Sequence, residues 1–544
     1  MMEYSQNFIG LYTKSFRSYF DYPALSNYGT DVRFTYGETA KEIAKLHLLF
    51  KEYDVRQGEK IALIGKNNAY WCVIFMASIT YGAVIVPILQ DFSPADIQNI
   101  VNHSGSTLLF VSDSMRKTLD EKQMTSLKAV FPFSDKSLPA DLYSSMDKKF
   151  AEKYPNGFTA EDINYQEFPN ENLVILNYTS GTTGFSKGVL LTGNNLVGNL
   201  AFAHQEMPVK KGDNLVSLLP LAHAYGCGFE FLFPIKEGCH VILLGKTPSP
   251  NIVLSAFSEY KPALIIAVPL ILEKIYKRMI VPVTGRKSFA LALKIPLLNQ
   301  LLYSVIRKKL VKAFGGQFIQ VIIGGAPLNA EVEEFLLKIK FPISVGYGMT
   351  ECSPLISFSL YPKYIPLSCG KILPNMEIRV DSPDPYNIVG EIQVKGQNVM
   401  LGYYNNEQAT KEVFTDDGWL KTGDLGTIDK NNNVFIRGRL KDMMLSATGQ
   451  NIYPEEIEAK LNNLPYINDS LVVGRNGKLI AMVYPDYETA KQNGVSSDDL
   501  CKIMDTNVKT LNEMVASYEK IAEIQLTDEF KKTPKRSIKR YLYI

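Results

Sequence analysis

Short, predominantly apolar runs recur along the chain, at 61–64, 84–89, 108–111, 215–219, 241–244, 264–268 and 321–323. Between them lie longer segments whose apolar positions return every three or four residues, at 36–51, 70–81 and 330–339. A run too short for a helix but apolar throughout fits a strand buried on both faces, and the amphipathic segments fit helices laid over such strands. The alternation predicts an α/β architecture with buried, largely parallel sheets. The stretch 381–419 has another texture, with short strands such as 391–395, many Asn and Gly residues and no long helix, and reads as β-rich. After Arg437 come a helix opened by Pro454-Glu-Glu, strands near 470–474 and 479–484, and a helix around 498–518. Proline suits a first helical turn, and this last stretch reads as a compact α+β module.

Length and composition refine this only slightly. At 544 residues the chain exceeds one hydrophobic core, and three or four domains or subdomains are expected. With 46% hydrophobic and 21% charged residues it is an ordinary globular sequence, and a net charge of +2 gives no footing for nucleic acid. Six cysteines show neither CxxC pairs nor zinc spacing, which fits reduced, packed thiols in a cytoplasmic protein. The N-terminus lacks a charged-then-apolar leader pattern, and the apolar stretch 263–272 falls well short of the ~20 residues a membrane span needs. Residues 286–313 mix apolar side chains with Lys and Arg, which leaves two readings. One is peripheral contact at the inner membrane face; the other is a helical pair packed on the large domain with a solvated basic face.

The strongest chemical signal is Tyr178-Thr-Ser-Gly-Thr-Thr-Gly-Phe-Ser-Lys187, directly after the apolar run 173–176. Glycines let successive N–H groups turn inward as an anion nest, hydroxyls add donors, and Lys187 adds charge. That combination suits a polyphosphate. The spacing Gly181-x-x-Gly184-x-x-Lys187-Gly188 is not that of the P-loop, and the chain continues as Val-Leu-Leu, more like a strand than a helix.

This loop resembles the signature of the adenylate-forming (AMP-binding) superfamily, and its companions follow in the family's order. They are Gly324-Gly-Ala-Pro-Leu328, Tyr347-Gly-Met-Thr-Glu351, Thr422-Gly-Asp424, Arg437-Gly-Arg-Leu-Lys-Asp442 and Gly449-Gln-Asn-Ile-Tyr-Pro-Glu-Glu-Ile457. Taken singly, Glu351 is a loop acid and Asp424 a turn residue; only their joint order argues for a site. The resemblance implies a large domain over 1–437, made of two α/β subdomains and a small β-rich subdomain at about 355–437. A small mobile α+β domain over 438–544 would follow, hinged near Lys441. It also implies that a carboxylate is converted to acyl-AMP with release of pyrophosphate, then passed to a thiol. Such an enzyme holds a triphosphate, a metal and a carboxylate in line and stabilises charge on phosphoryl oxygens. By this resemblance Thr179, Ser180, Gly181, Thr182, Thr183 and Lys187 embrace the β- and γ-phosphates of ATP. Gly325, Ala326 and Pro327 line the adenine pocket, Tyr347 stacks on the base with Gly348 and Met349 beside it, and Thr350 donates to the α-phosphate. Glu351 holds Mg²⁺, Asp424 accepts from the ribose hydroxyls, Arg439 supports the same edge, and His223 gates the acyl or CoA channel.

The tail departs from the family pattern. Members usually carry a lysine that bridges the acyl carboxylate and the α-phosphate, and the gapless position here holds Ser537. Lys535, Arg536 and Lys539 crowd around it. Three readings stand: a shifted tail presents Lys535 or Lys539, Arg536 supplies the charge, or adenylation is weak. The stretch 262–276, with its Val-Pro…Glu-Lys-Ile-Tyr pattern, is similar to long-chain fatty acid–CoA ligases and implies fatty acid, ATP and CoA as substrates. Loading of an acyl carrier protein, release of acyl-AMP, and a weakened nucleotide- and acyl-binding protein are the alternatives. Oligomeric state is not legible.

Overall fold

The computed structural model describes residues 4–135, 137–179, 186–284, 289, 292, 293, 295, 298–446, 450–475, 478–533 and 538–544. The apolar runs form parallel strands. A six-stranded sheet has the order Ala129–Phe133, Leu108–Ser112, Lys60–Ile64, Val84–Ile88, Leu173–Thr179, Lys187–Thr192. Its first five strands are mutually parallel and the sixth returns antiparallel. A second sheet pairs Asn214–Ser217 with His240–Leu243 and Pro23–Asn27 in parallel, with Arg33–Thr35 antiparallel at its edge. A third aligns Leu264–Ala267, Gln320–Ile323 and Ile343–Val345, all parallel.

The helices follow from their local sequence. Thr35 and Glu38 form a reciprocal capping box that starts Tyr36–Glu52. Asn68 caps Ala69–Tyr81 through Trp71 N, and Gly82 ends it in the left-handed conformation. Every residue of that helix up to Thr80 is buried, so the segment expected to be amphipathic is apolar on all sides and packs within the core. Helix Leu298–Ala313 sends Ile306 and Leu310 into the core around the third sheet and leaves Leu301 and Val305 exposed. Among the described residues no helix is long and apolar enough to cross a membrane.

Contacts group the chain into two compact units, Met1–Glu377 with Val394–Leu420, and Ile378–Gln393 with Lys421–Ile544. Of the stretch 355–437, residues 394–420 therefore belong with the first unit, whereas 378–393 and 421–437 belong with the second. The C-terminal module contains the sheet Ile467–Arg475, Lys478–Pro485, Ile521–Leu526, packed against helices Pro454–Leu461 and Ser497–Met514. The last helix stops at Met514, short of the expected 518, because Val515 is extended and the Glu519 carboxylate takes the Ala516 N–H.

Candidate active site

Strand Leu173–Thr179 and strand Lys187–Thr192 form a hairpin in which Thr179 faces Lys187. Ser180, Gly181, Thr182 and Thr183, expected to hold phosphate, lie outside the described residues. Residues 400–404 then close the hairpin's free edge. Leu190 N–H donates to Gly402 O (3.0 Å), Leu401 N–H to Leu190 O (3.1 Å) and Tyr404 N–H to Gly188 O (2.7 Å). This docking fixes Tyr403, which the sequence motifs had not singled out. The Lys187 ammonium sits over its ring, 4.8 Å from the centroid. Its hydroxyl donates to Glu351 Oε1 at 2.9 Å. Burial, reinforced by the charge of Glu351, raises the Tyr403 phenol well above its usual range, so it remains a donor at any working pH. A cation, an aromatic ring and a carboxylate thus stand in sequence beside the glycine-rich loop.

Glu351 belongs to the short turn Thr350–Cys352, which follows strand Ile343–Val345. Several backbone bonds hold that turn: Met400 N–H to Glu351 O (2.8 Å), Met349 N–H to Pro354 O (2.8 Å) and Asn199 Nδ2 to Cys352 O (3.3 Å). A side chain at Gly348 would collide with the Pro354 carbonyl, so this position has a packing reason to be glycine. Gly325, Ala326 and Pro327 leave the neighbouring parallel strand Gln320–Ile323, and Gly325 adopts φ +83°, which favours glycine. The two loops therefore emerge from the carboxyl ends of adjacent parallel strands, where open α/β sheets bind ligands. Thr350 and Tyr347 are both buried there.

His223 caps the single turn Ala224–Gly226, its Nδ1 accepting from Tyr225 N–H at 3.3 Å. Asn177, two residues before Thr179, donates to Ala222 O (3.1 Å), so strand Leu173–Thr179 and the His223 loop are tied together. A turn of π-helix, Cys227–Leu232, follows and carries a fully buried carboxyl group, Glu230. Burial pushes Glu230 up to about 8, against the pull of its three donors, Leu218 N–H, Leu219 N–H and the Ser217 hydroxyl. Because the folded pKa lies above the unfolded one, the stability this group contributes is full below about 4.5 and is lost as pH rises through about 8. The wild type should therefore lose about 2–4 °C of Tm relative to Glu230→Gln between about pH 5 and pH 9. Parallel thermal melts of the two proteins check this; a constant gap would place the carboxyl in a solvated setting.

In the second unit Asp424 and Arg439 are register partners, and Arg439 Nε lies 2.8 Å from Asp424 Oδ1. Asp424 is buried, and its N–H donates to Thr422 Oγ1 at 3.1 Å. Lys441 follows the same strand, two residues after Arg439. Near the C-terminus, Lys539 N–H donates to Lys531 O (2.9 Å), while Lys535, Arg536 and Ser537 lie outside the described residues. Arg540 clamps both oxygens of Glu458 at 2.8 and 2.9 Å and donates to Val472 O.

Two loops at the carboxyl ends of adjacent parallel strands, one of them carrying Glu351, form a rim of the kind at which open α/β sheets bind ligands, and comparison with known families narrows the class. The model of the AMP-binding enzyme family matches residues 13–404, and that of the AMP-binding enzyme C-terminal domain matches residues 441–543. The chain belongs to this family and is an adenylate-forming enzyme of the acid–CoA ligase class. It is 28% identical to the long-chain-fatty-acid–CoA ligase FadD15 of Mycobacterium bovis, across 94% of this chain and 90% of that protein. Mouse long-chain-fatty-acid–CoA ligase ACSBG2 is 27% identical across 94% of this chain and 83% of its own length. The fold matches the crystal structure of ATP-bound MatB from Rhodopseudomonas palustris with a TM-score of 0.78, at 22% identity, covering 99% of this chain and 98% of that one.

Proposed function

We propose that the protein activates a long-chain fatty acid. The acid's carboxylate attacks the α-phosphorus of ATP, pyrophosphate leaves, and the CoA thiol then displaces AMP from the acyl-adenylate to give acyl-CoA. The arrangement that carries the first half is Lys187 over Tyr403 with Tyr403 on Glu351, which brings a cation and a carboxylate to the loop expected to hold the triphosphate. Thr179, the hydroxyls of Ser180, Thr182 and Thr183, the Gly181 N–H and Lys187 would bind the β- and γ-phosphates, with Thr350 on the α-phosphate. Glu351 suits Mg²⁺, a hard cation that takes one or two carboxylates plus phosphate oxygens and water. When bound, that ion would neutralise charge on the phosphoryl oxygens. Asp424 would take the ribose hydroxyls in place of part of its bond to Arg439, and Lys441 would serve as the hinge between the two half-reactions. The fatty acid assignment rests on the two relatives named as long-chain-fatty-acid–CoA ligases and on the similar stretch at 262–276.

A mass-spectrometric end-point assay with ATP, Mg²⁺ and palmitate, run with and without CoA, tests this. Palmitoyl-CoA in the full mixture is the expected product. Palmitoyl-AMP alone would move the acceptor to an acyl carrier protein. Neither product from any acid, with ATP still bound, would leave a weakened nucleotide- and acyl-binding protein.

A further inference from the structure

The loop that ends in His223 is held on two sides by polar side chains, and one of them is a buried carboxyl group in an otherwise apolar run, Cys227-Gly-Phe-Glu-Phe-Leu232. Glu230 is 1% exposed. Its Oε2 accepts from Leu219 N–H at 2.9 Å and from the Ser217 hydroxyl at 3.0 Å, and Leu218 N–H reaches Oε1 at 3.0 Å. From the other side Asn67 donates to Leu219 O (2.6 Å) and accepts from Leu221 N–H (2.9 Å). Pro220 has no N–H to satisfy, and its carbonyl accepts from His223 N–H at 3.0 Å. The path from Ser217 to His223 is therefore tied down nearly residue by residue. Burying a carboxyl group costs more than burying a leucine or methionine of similar size, so its presence here argues for a positional task. Only an acceptor can satisfy two successive inward N–H groups, and single π-turns recur where a side chain must be re-aimed at a functional site.

We infer that Glu230 is the positioning residue of the acyl-side loop: by accepting from Ser217, Leu218 and Leu219 it sets where His223 stands, and so governs affinity for the carboxylic acid substrate but not for ATP. The inference rests on the reading that His223 lies beside the acyl group. A merely structural plug would, when removed, lower the folded fraction and shift both substrates alike.

The test is the rate of acid-dependent pyrophosphate release, with palmitate and ATP varied separately. Glu230→Met removes the acceptor and should raise the KM for palmitate about tenfold while leaving the KM for ATP within about twofold. Glu230→Gln keeps a carbonyl acceptor and should restore the palmitate KM to within about threefold of the wild type at neutral pH. His223→Ala should itself raise the palmitate KM, and Glu230→Met in that background should add less than about twofold, because Glu230 acts on the substrate through His223. Equal shifts for both substrates, or full additivity in the double variant, would overturn the role of Glu230. A palmitate KM untouched by His223→Ala would instead remove the reading of His223. Should Glu230→Met fail to accumulate as folded protein, Ser217→Ala deletes one donor at smaller cost, and an unchanged palmitate KM there would also overturn the inference.

Discussion

Replacing Glu351 with glutamine is expected to lower acyl-adenylate formation by about 10²–10³-fold while leaving the protein folded. The physical basis is local. Glu351 Oε1 already accepts from Tyr403, and the glutamine carbonyl can accept the same bond, so the buried turn Thr350–Cys352 keeps its support. What disappears is the negative charge, replaced by an amide whose NH₂ group cannot ligate a cation. ATP–pyrophosphate exchange measured across a Mg²⁺ series reads this directly: the Mg²⁺ midpoint should move to higher concentration along with the fall in rate. Tyr403→Phe supplies the contrast. It keeps the ring under the Lys187 ammonium and loses only the hydroxyl, so its loss should be about tenfold or less. A Glu351→Gln protein with normal exchange and an unshifted Mg²⁺ midpoint would take this carboxylate out of the nucleotide site.

The sequence disclosed the strands because burial on both faces leaves no room for polar interruptions: the runs at 61–64, 108–111 and 321–323 became Lys60–Ile64, Leu108–Ser112 and Gln320–Ile323. The loops that follow strands Gln320–Ile323 and Ile343–Val345 were equally legible, since glycines and hydroxyls after an apolar run announce backbone at a sheet's rim. Tyr403 was hidden. Its role arises only when residues 400–404 add to the edge of Lys187–Thr192, a pairing across more than two hundred residues that no local pattern encodes. The available hint was Gly402-Tyr-Tyr404 after two apolar residues, which reads equally well as a surface turn. Glu230 had a clearer signal that went unread: a single acid inside an apolar run must either break the run or be buried with partners, and here it is buried. The end of the last helix was misplaced for the opposite reason, because a side-chain bond from Glu519 competes with helical periodicity that would otherwise continue.

The tail yields the second large effect: Lys535→Ala is expected to cut acyl-adenylate formation by about 10²-fold, whereas Lys539→Ala changes it by about threefold or less. Ile538 bridges Lys532 and packs near Leu471, Val473 and Phe530, and Arg540 is clamped to Glu458. Lys539, between two anchored residues and with its own N–H bonded to Lys531 O, is held at its backbone. Lys535 lies midway in sequence between the bridged residues Lys532 and Ile538, three residues from each. Transfer of the adenylyl group draws negative charge onto the α-phosphate beside an incoming carboxylate, and a compact ammonium stabilises both more tightly than a planar guanidinium such as Arg536. Thioester formation from supplied palmitoyl-AMP should remain within about threefold of the wild type in Lys535→Ala, since that step needs no such charge. Ser537→Lys, placing an ammonium at the family's usual position, should recover adenylation in the Lys535→Ala background. A larger loss in Lys539→Ala than in Lys535→Ala would assign the charge to Lys539 instead, and equal losses in both half-reactions would mean the substitution had disturbed the module rather than the chemistry.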